Sequence, residues 1–306
     1  MSSDTAWHAQ NGLWRRLGSN PISPGQTSGK PIIGAAIASN LEVDWETFET
    51  QVSGTVNIRR SYAGLTANDP NQPVLPATFA ASTAGIDDGH RESAWSFKAI
   101  PSVFAAGTND AWFSSFLDSI PANHKTIIML WHEPEGQINS GQFTLTDWKA
   151  ANNHMGAMVH AKGRSELRSA ICLIGDWNYK PSNPGHNTEF WDSGFTANID
   201  YIGFDPYVSG GVFTPLNNQT YFMQAYDWAV SHSKPIFFPE WGCADDPGGD
   251  ATKKANYITN AYQFGKSANL YAMLYFNENG STGNTLLSTP ESIAAYSSIN
   301  ADSKVA

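Results

Sequence analysis

Between residues 31 and 303 the sequence switches back and forth between short apolar runs and stretches with helical spacing, and few architectures permit that rhythm. Eight apolar runs stand out: "PIIGAAI" (31–37), "TVNIRRSY" (55–62), "ESAWSFKAIP" (92–101), "TIIMLWH" (126–132), "SAICLIGDWN" (169–178), "IDYIGFDPYV" (199–208), "KPIFFPEWG" (234–242) and "LYAMLYFNENG" (270–280). Helical spacing predicts helices over 44–52, 110–120, 144–163, 221–233, 253–268 and 290–303. Thr144 is placed to cap one of them, Gly163 to stop it, and Pro290 to open the last. The strand-like runs are apolar almost throughout, as parallel strands covered on both faces must be. Eight such βα units predict an α/β fold, a (β/α)8 TIM barrel. The alternative, a doubly wound open sheet, calls for a glycine-rich phosphate turn after the first strand. "GAAIASN" (34–40) carries one glycine and does not meet that need.

The barrel is expected over 30–306, preceded by an irregular segment or linker over 1–29, where "SNPISPGQTSG" is dense in Pro, Gly and Ser. Two long insertions, 64–91 and 179–198, should lie over the C-terminal face. That face is where barrels of this kind keep their chemistry.

Eighteen basic against 28 acidic residues leave a net charge of −10, which argues against nucleic acid and against an anionic membrane surface. No apolar run approaches the roughly 20 residues needed to cross a bilayer, so no membrane insertion is expected. Only 15% of residues are charged, whereas there are 11 Trp, 11 Tyr and 16 Phe. Uncharged, tryptophan-rich proteins often act outside the cytoplasm on sugars, whose C–H faces stack on indole rings. An extracellular or virion- or cell-surface setting is therefore expected, although the first residues lack the apolar core of an export signal. The expected partner is a neutral polysaccharide, and the chain is expected to be a monomer. Cys172 and Cys243 imply no disulfide framework, and no metal-ligand spacing is visible, so neither metal nor cofactor is expected.

The ends of the apolar runs carry the chemistry. Run two ends near Arg59, Arg60 and Tyr62; run three gives Lys98; run four gives His132, Glu133 and Glu135. Run five gives Asp176, Trp177 and Asn178; run six, Asp205 and Tyr207; run seven, Glu240 and Trp241; run eight, Asn277 and Glu278. Strands four and seven of an eight-stranded barrel lie roughly across the mouth from each other. Glu133 and Glu240 are thus placed to act as the paired carboxylates of glycoside hydrolysis, which a retaining mechanism needs about 5–5.5 Å apart. One lends a proton to the leaving oxygen and needs a raised pKa; the other stays ionised and attacks.

"WHEPE" (131–135), "FDPY" (204–207) and "KPIFFPEWG" (234–242) together resemble the retaining glycosidases with acid/base on strand four and nucleophile on strand seven. Within them, histidine before the strand-four glutamate resembles glycoside hydrolase family 26, which includes β-mannanases, some β-1,3-xylanases and mixed-linkage glucanases. "FKAIPSVFAAGTNDAWF" (97–113) is similar to the strand-three region of its actinobacterial and phage relatives. The resemblance implies Glu133 as general acid/base, Glu240 as nucleophile, and Tyr207 as a donor to the nucleophile. It implies His132 near the nucleophile or the sugar 2-hydroxyl, with Trp177 and Trp241 as stacking platforms. Arg59, Lys98, Asn277 and Glu278 complete the expected substrate-binding set. The chain departs from the family in lacking an evident Trp at the end of run eight and in carrying Lys98 at the end of run three.

Other readings stay open. Glu135 is a competing acid, and Asp205 reads as a structural group accepting backbone N–H groups beside Pro206. Arg59 and Arg60 alternate faces, so only one can enter the mouth. "DDPGGD" (245–250) reads as a turn before it reads as a calcium loop. Against a retaining endo-β-glycosidase stand a glycan-binding barrel without turnover, and a metal-dependent hydrolase using His132, Glu133 and Asp205.

Overall fold

A computed structural model describes residues 7–10, 13–16, 29–37, 42–63, 76–82, 92–186, 188–208, 211–280 and 283–303. Eight parallel strands form the sheet: β1 Ile32–Ile37, β2 Ile58–Ala63, β3 Glu92–Phe97, β4 Thr126–Leu130, β5 Leu167–Leu173, β6 Tyr201–Phe204, β7 Ile236–Cys243 and β8 Ala272–Asn277. Each pairs with the next in sequence, and β8 pairs with both β7 and β1, so the sheet closes into a (β/α)8 barrel. Closure leaves no sheet edge to cover.

Helices α1 Glu42–Gln51, α2 Asp110–Ser119, α3 Leu145–Ala161, α4 Thr220–Ser231, α5 Ala251–Ser267 and α6 Pro290–Asp302 flank it. Thr144 caps α3 by accepting the Asp147 N–H, and Gly163 sits just past its end at φ +63°. Pro290 opens α6 inside a capping box formed by Thr289 and Ser292.

The strand alternation yields two apolar clusters. The larger lies between strands and helices and holds Trp45, Phe48, Trp95, Trp148, Tyr257 and Tyr296. The smaller contains strand residues, among them Ile58, Ala94, Met129, Ala170, Phe237 and Leu274, together with Tyr271 just before β8, and fills the lumen. Space there is tight. A Cβ on Gly34 would come within 2.2 Å of the Ile58 carbonyl oxygen, so β1 and β2 can lie this close only because residue 34 is glycine.

Three differences from the sequence reading have local causes. Runs five and six are shorter than their apolar spans. Ile174 turns its N–H to the Glu135 carboxylate instead of the ladder, and Asp205–Pro206 separates β6 from a two-residue strand, Tyr207–Val208, that pairs with the end of β7. Within the 1–29 segment, read as irregular, Trp7–Gln10 and Leu13–Arg16 pair antiparallel. The intervening Asn-Gly is a pair that favours two-residue hairpin connections, a signal the composition of the segment obscured. Of the 64–91 insertion, only 76–82 falls within the described residues, with a short helix at Phe79–Ser82.

Candidate active site

The end of β4 is a strained turn. Trp131 and Glu133 both take positive φ, +51° and +52°, a conformation that costs a non-glycine residue roughly 1–2 kcal/mol. The surroundings hold it. Trp131 N–H donates to the Phe97 carbonyl at 2.8 Å and Glu133 N–H to the Cys172 carbonyl at 3.0 Å, carrying the ladder on to β3 and β5. The Trp148 indole on α3 donates to the Trp131 carbonyl at 3.1 Å, and the Trp131 ring packs edge-on against Phe143. The turn ends with Glu133 lining a cavity of about 300 Å³ at the barrel mouth, together with Trp177, Asp205 and Tyr207.

Glu240 is delivered by a bulge. Phe238 pairs with Met273 and Trp241 with Tyr275, so three positions of β7 span two of β8. Such an extra residue re-aims the side chains around it. Glu240 turns to the lumen, while Trp241 falls on the outer face, fully buried with its ring edge-on to Tyr275. Three donors meet the Glu240 carboxylate: Tyr62 O–H at 2.8 Å and Arg60 Nη2 at 3.5 Å on Oε1, and Tyr207 O–H at 2.6 Å on Oε2. Its backbone N–H donates to Asp205 Oδ1 at 2.9 Å, and the Cys172 thiol donates to Asp205 Oδ2 at 3.0 Å.

Charge is crowded here. Burial, and then the negative charge of Glu240, push Glu133 up to about 7, with Lys98 and Arg60 pulling the other way. Burial raises Asp205 as well, reinforced by Glu240 and Glu133. Burial opposes the charge on Arg60, but Tyr62, Glu240 and Asp205 outweigh it and raise that group. Tyr62 and Tyr207 are raised by burial and by Glu240, so both stay protonated donors. Burial lowers His132, and Arg60 and Lys98 add to the effect, leaving a neutral ring whose Nδ1 lies 3.0 Å from Ser96 Oγ. Lys98 is lowered by burial and supported by Glu133 and Glu240; its ammonium lies 5.6 Å from the centre of the Trp131 ring.

The expected residues divide. Glu133, Glu240, His132, Lys98, Tyr207 and Trp177 gather at the mouth. Trp241 does not: the bulge buries it, so it offers no platform to a sugar. Arg59 does not either; it faces α1, near Glu49 at 3.4 Å and over the Trp45 ring, while Arg60 is the arginine that enters the lumen. Asn277 accepts the Leu287 N–H at 2.7 Å and serves the chain after β8. Glu278 pairs through its backbone with Thr285, its N–H donating to Thr285 Oγ1 at 3.3 Å and its carbonyl accepting the Thr285 N–H at 2.9 Å. Glu135 is buried, accepts the Ile174 N–H at 2.7 Å and borders a small separate cavity with Tyr179 and Phe190. Asp205 serves as a backbone acceptor, for Glu240 itself. Tyr62 and Arg60, the donors to Glu240 from β2, were missing from the expected binding set; the period-two alternation that seats Arg60 inward also places Tyr62 there.

No group of three or more His, Cys, Asp or Glu among the described residues is disposed to hold a metal ion. In the 245–250 turn, Asp245 pairs with Lys254 and Asp246 with Lys253.

No family model matches the chain, and no curated protein matches it. Solved structures do. A glycoside hydrolase family 128 (subgroup I) endo-β-1,3-glucanase from Amycolatopsis mediterranei is 16% identical, covering 87% of this chain and 98% of its own at a TM-score of 0.51. The family 26 domain of an endo-β-mannanase/endo-β-glucanase from Prevotella bryantii is 12% identical over 89% and 88%, at 0.56. A 4-O-α-L-rhamnosyl-β-D-glucuronidase from Fusarium oxysporum is 12% identical over 97% and 72%, at 0.54. What this chain shares with them is the barrel.

Proposed function

We propose that the protein is a retaining endo-β-glycosidase acting on a neutral polysaccharide, β-mannan first, with xylan or glucan as alternatives. One observation carries the reading: two carboxylates at one opening, one ringed by three donors and the other pushed up to about 7 beside it. That is the division of labour that two-carboxylate hydrolysis requires. The barrel shared with glycoside hydrolases of families 26 and 128 supports it, and the laminarin-type ligands of the family 128 enzyme put β-1,3-glucan among the substrates to try.

In the first step the Glu240 carboxylate attacks the anomeric carbon and forms a glycosyl ester, as Glu133 gives its proton to the departing glycosidic oxygen. In the second, Glu133, now ionised, takes a proton from water. The resulting oxygen attacks the same carbon, releasing Glu240 and returning the original anomeric configuration. Tyr62, Tyr207 and Arg60 hold the nucleophile in place and must loosen their hold as its charge passes to the ester. Incubation with mannan, xylan, β-1,3-glucan and mixed-linkage glucan, with the first product followed by NMR, tests this. The β-anomer should appear first; the α-anomer would exclude retention, and no product from any glycan would exclude the activity.

A further inference from the structure

The cavity at Glu133 continues into a second. The inner basin, about 300 Å³, begins at Glu133 and Trp177. The outer basin, about 360 Å³, runs past Val212, Thr214 and Asn218 to Tyr221. The two share Asp176, Lys180, Tyr207, Gln219 and Phe222, so they are one groove. At the divide, Lys180 Nζ lies 2.6 Å from Asp176 Oδ2, both side chains partly exposed.

We propose that this groove binds the leaving-group part of the glycan, one sugar in each basin, with the Asp176–Lys180 pair and Tyr221 selecting for at least two sugars beyond the cleaved bond. The inference rests on the glycosidase reading and deepens it. A general acid must touch the oxygen between the attacked sugar and the departing one. The attacked sugar has to lie against Glu240, which Tyr62 and Arg60 hold from one side and Tyr207 from the other. Of the two glutamates only Glu133, the acid, lines the inner basin, so the basin is placed to take the sugar on the acid's side of the cleaved bond.

The lining suits an uncharged chain. Trp177 is half-buried in the inner basin. Tyr221, 37% exposed on the first turn of α4, presents an aromatic ring in the outer one, the kind of surface on which sugar C–H faces stack. Asn218, Gln219 and Thr214 offer hydroxyl partners, and the single acid and single base at the divide cancel. An exposed ion pair of this kind contributes little to stability, so its place in both basins is better accounted for by contact with ligand.

The test compares β-linked oligosaccharides with one and with two sugars beyond the cleaved bond, using the wild type, Tyr221→Ala and Lys180→Ala. The second sugar should raise kcat/KM at least about tenfold in the wild type, and each substitution should cut that gain to about threefold or less. Hydrolysis without such a gain, or with a gain that survives both substitutions, overturns the groove and leaves the glycosidase reading standing. Binding of the longer oligosaccharide to Glu240→Gln, measured by calorimetry with and without Tyr221→Ala, separates the two ideas. Loss of affinity with Tyr221→Ala in a chain whose wild type hydrolyses nothing would keep the groove and reject the activity. Neither turnover nor Tyr221-dependent binding would reject both.

Discussion

The barrel has a buried glutamate held by a tyrosine hydroxyl at each end, and only one end looks chemical. At the mouth, Glu240 accepts from Tyr62 and Tyr207 beside Arg60. At the base, Glu92 accepts from Tyr271 and pairs with Lys125 at 2.9 Å. The base has a cavity of its own, about 440 Å³ against about 300 Å³ for the inner basin beside Glu133. The difference lies in how charge is balanced. At the base each acid has its own partner: Lys125 serves Glu92, and Arg164 serves Glu166 at 2.8 Å and lowers it. At the mouth, Glu133, Glu240 and Asp205 share Arg60 and the burial-weakened Lys98. Burial first, and then the negative charge of Glu240, hold a proton on Glu133 near neutral pH. Competition among carboxylates, rather than cavity size, distinguishes a site from a floor.

Substitutions can break this contrast. Glu240→Ala should lower kcat/KM by at least about 10⁴-fold on the best glycan, since no nucleophile remains; retained turnover would end the assignment. Tyr207→Phe and Tyr62→Phe each remove one hydrogen bond to a charged acceptor, typically about 1.5–3 kcal/mol, and should each lower kcat/KM about 10- to 100-fold, read from initial rates. Glu133→Gln should abolish hydrolysis of substrates with poor leaving groups and yet stabilise the fold at high pH. The folded-state pKa lies above the unfolded value, so the native chain binds the extra proton, and stability falls as pH rises from about 4.3 through 7. With the half-buried side chain allowed for, removing that loss is worth about 2 kcal/mol above pH 7 and nothing near pH 4, seen as a Tm difference at the two pH values. At the base, Tyr271→Phe should cost about 1–3 kcal/mol of stability and leave kcat/KM unchanged. A loss of activity there would erase the distinction between the two ends.

The barrel was legible because parallel strands covered on both sides must be apolar, and eight such runs have few ways to close. The position of Glu133 and Glu240 at the barrel mouth was legible because both end apolar strands, where polar groups have little structural reason to be. Three features resisted. The bulge at Pro239–Glu240 breaks the period-two alternation, and with it any forecast for Trp241. The choice between Arg59 and Arg60 depends on the absolute facing of β2, which alternation alone leaves open. The groove that reaches Tyr221 is made by loops after β5 and β6, whose sequence carries no periodicity to read. Glu135, one residue beyond Pro134, is turned under the mouth by the two positive-φ residues before it, a geometry that L-residues rarely adopt and that sequence does not announce.

The most direct test of the central claim is a ¹³C NMR titration of the Glu133 carboxyl, in the wild type and in Glu240→Gln. The account predicts a midpoint near 7 that falls when the charge at 240 is removed, because that charge and burial together hold the proton. An ordinary carboxylate midpoint in the wild type, or one that does not move in the variant, would mean that the two glutamates do not act on each other across one opening.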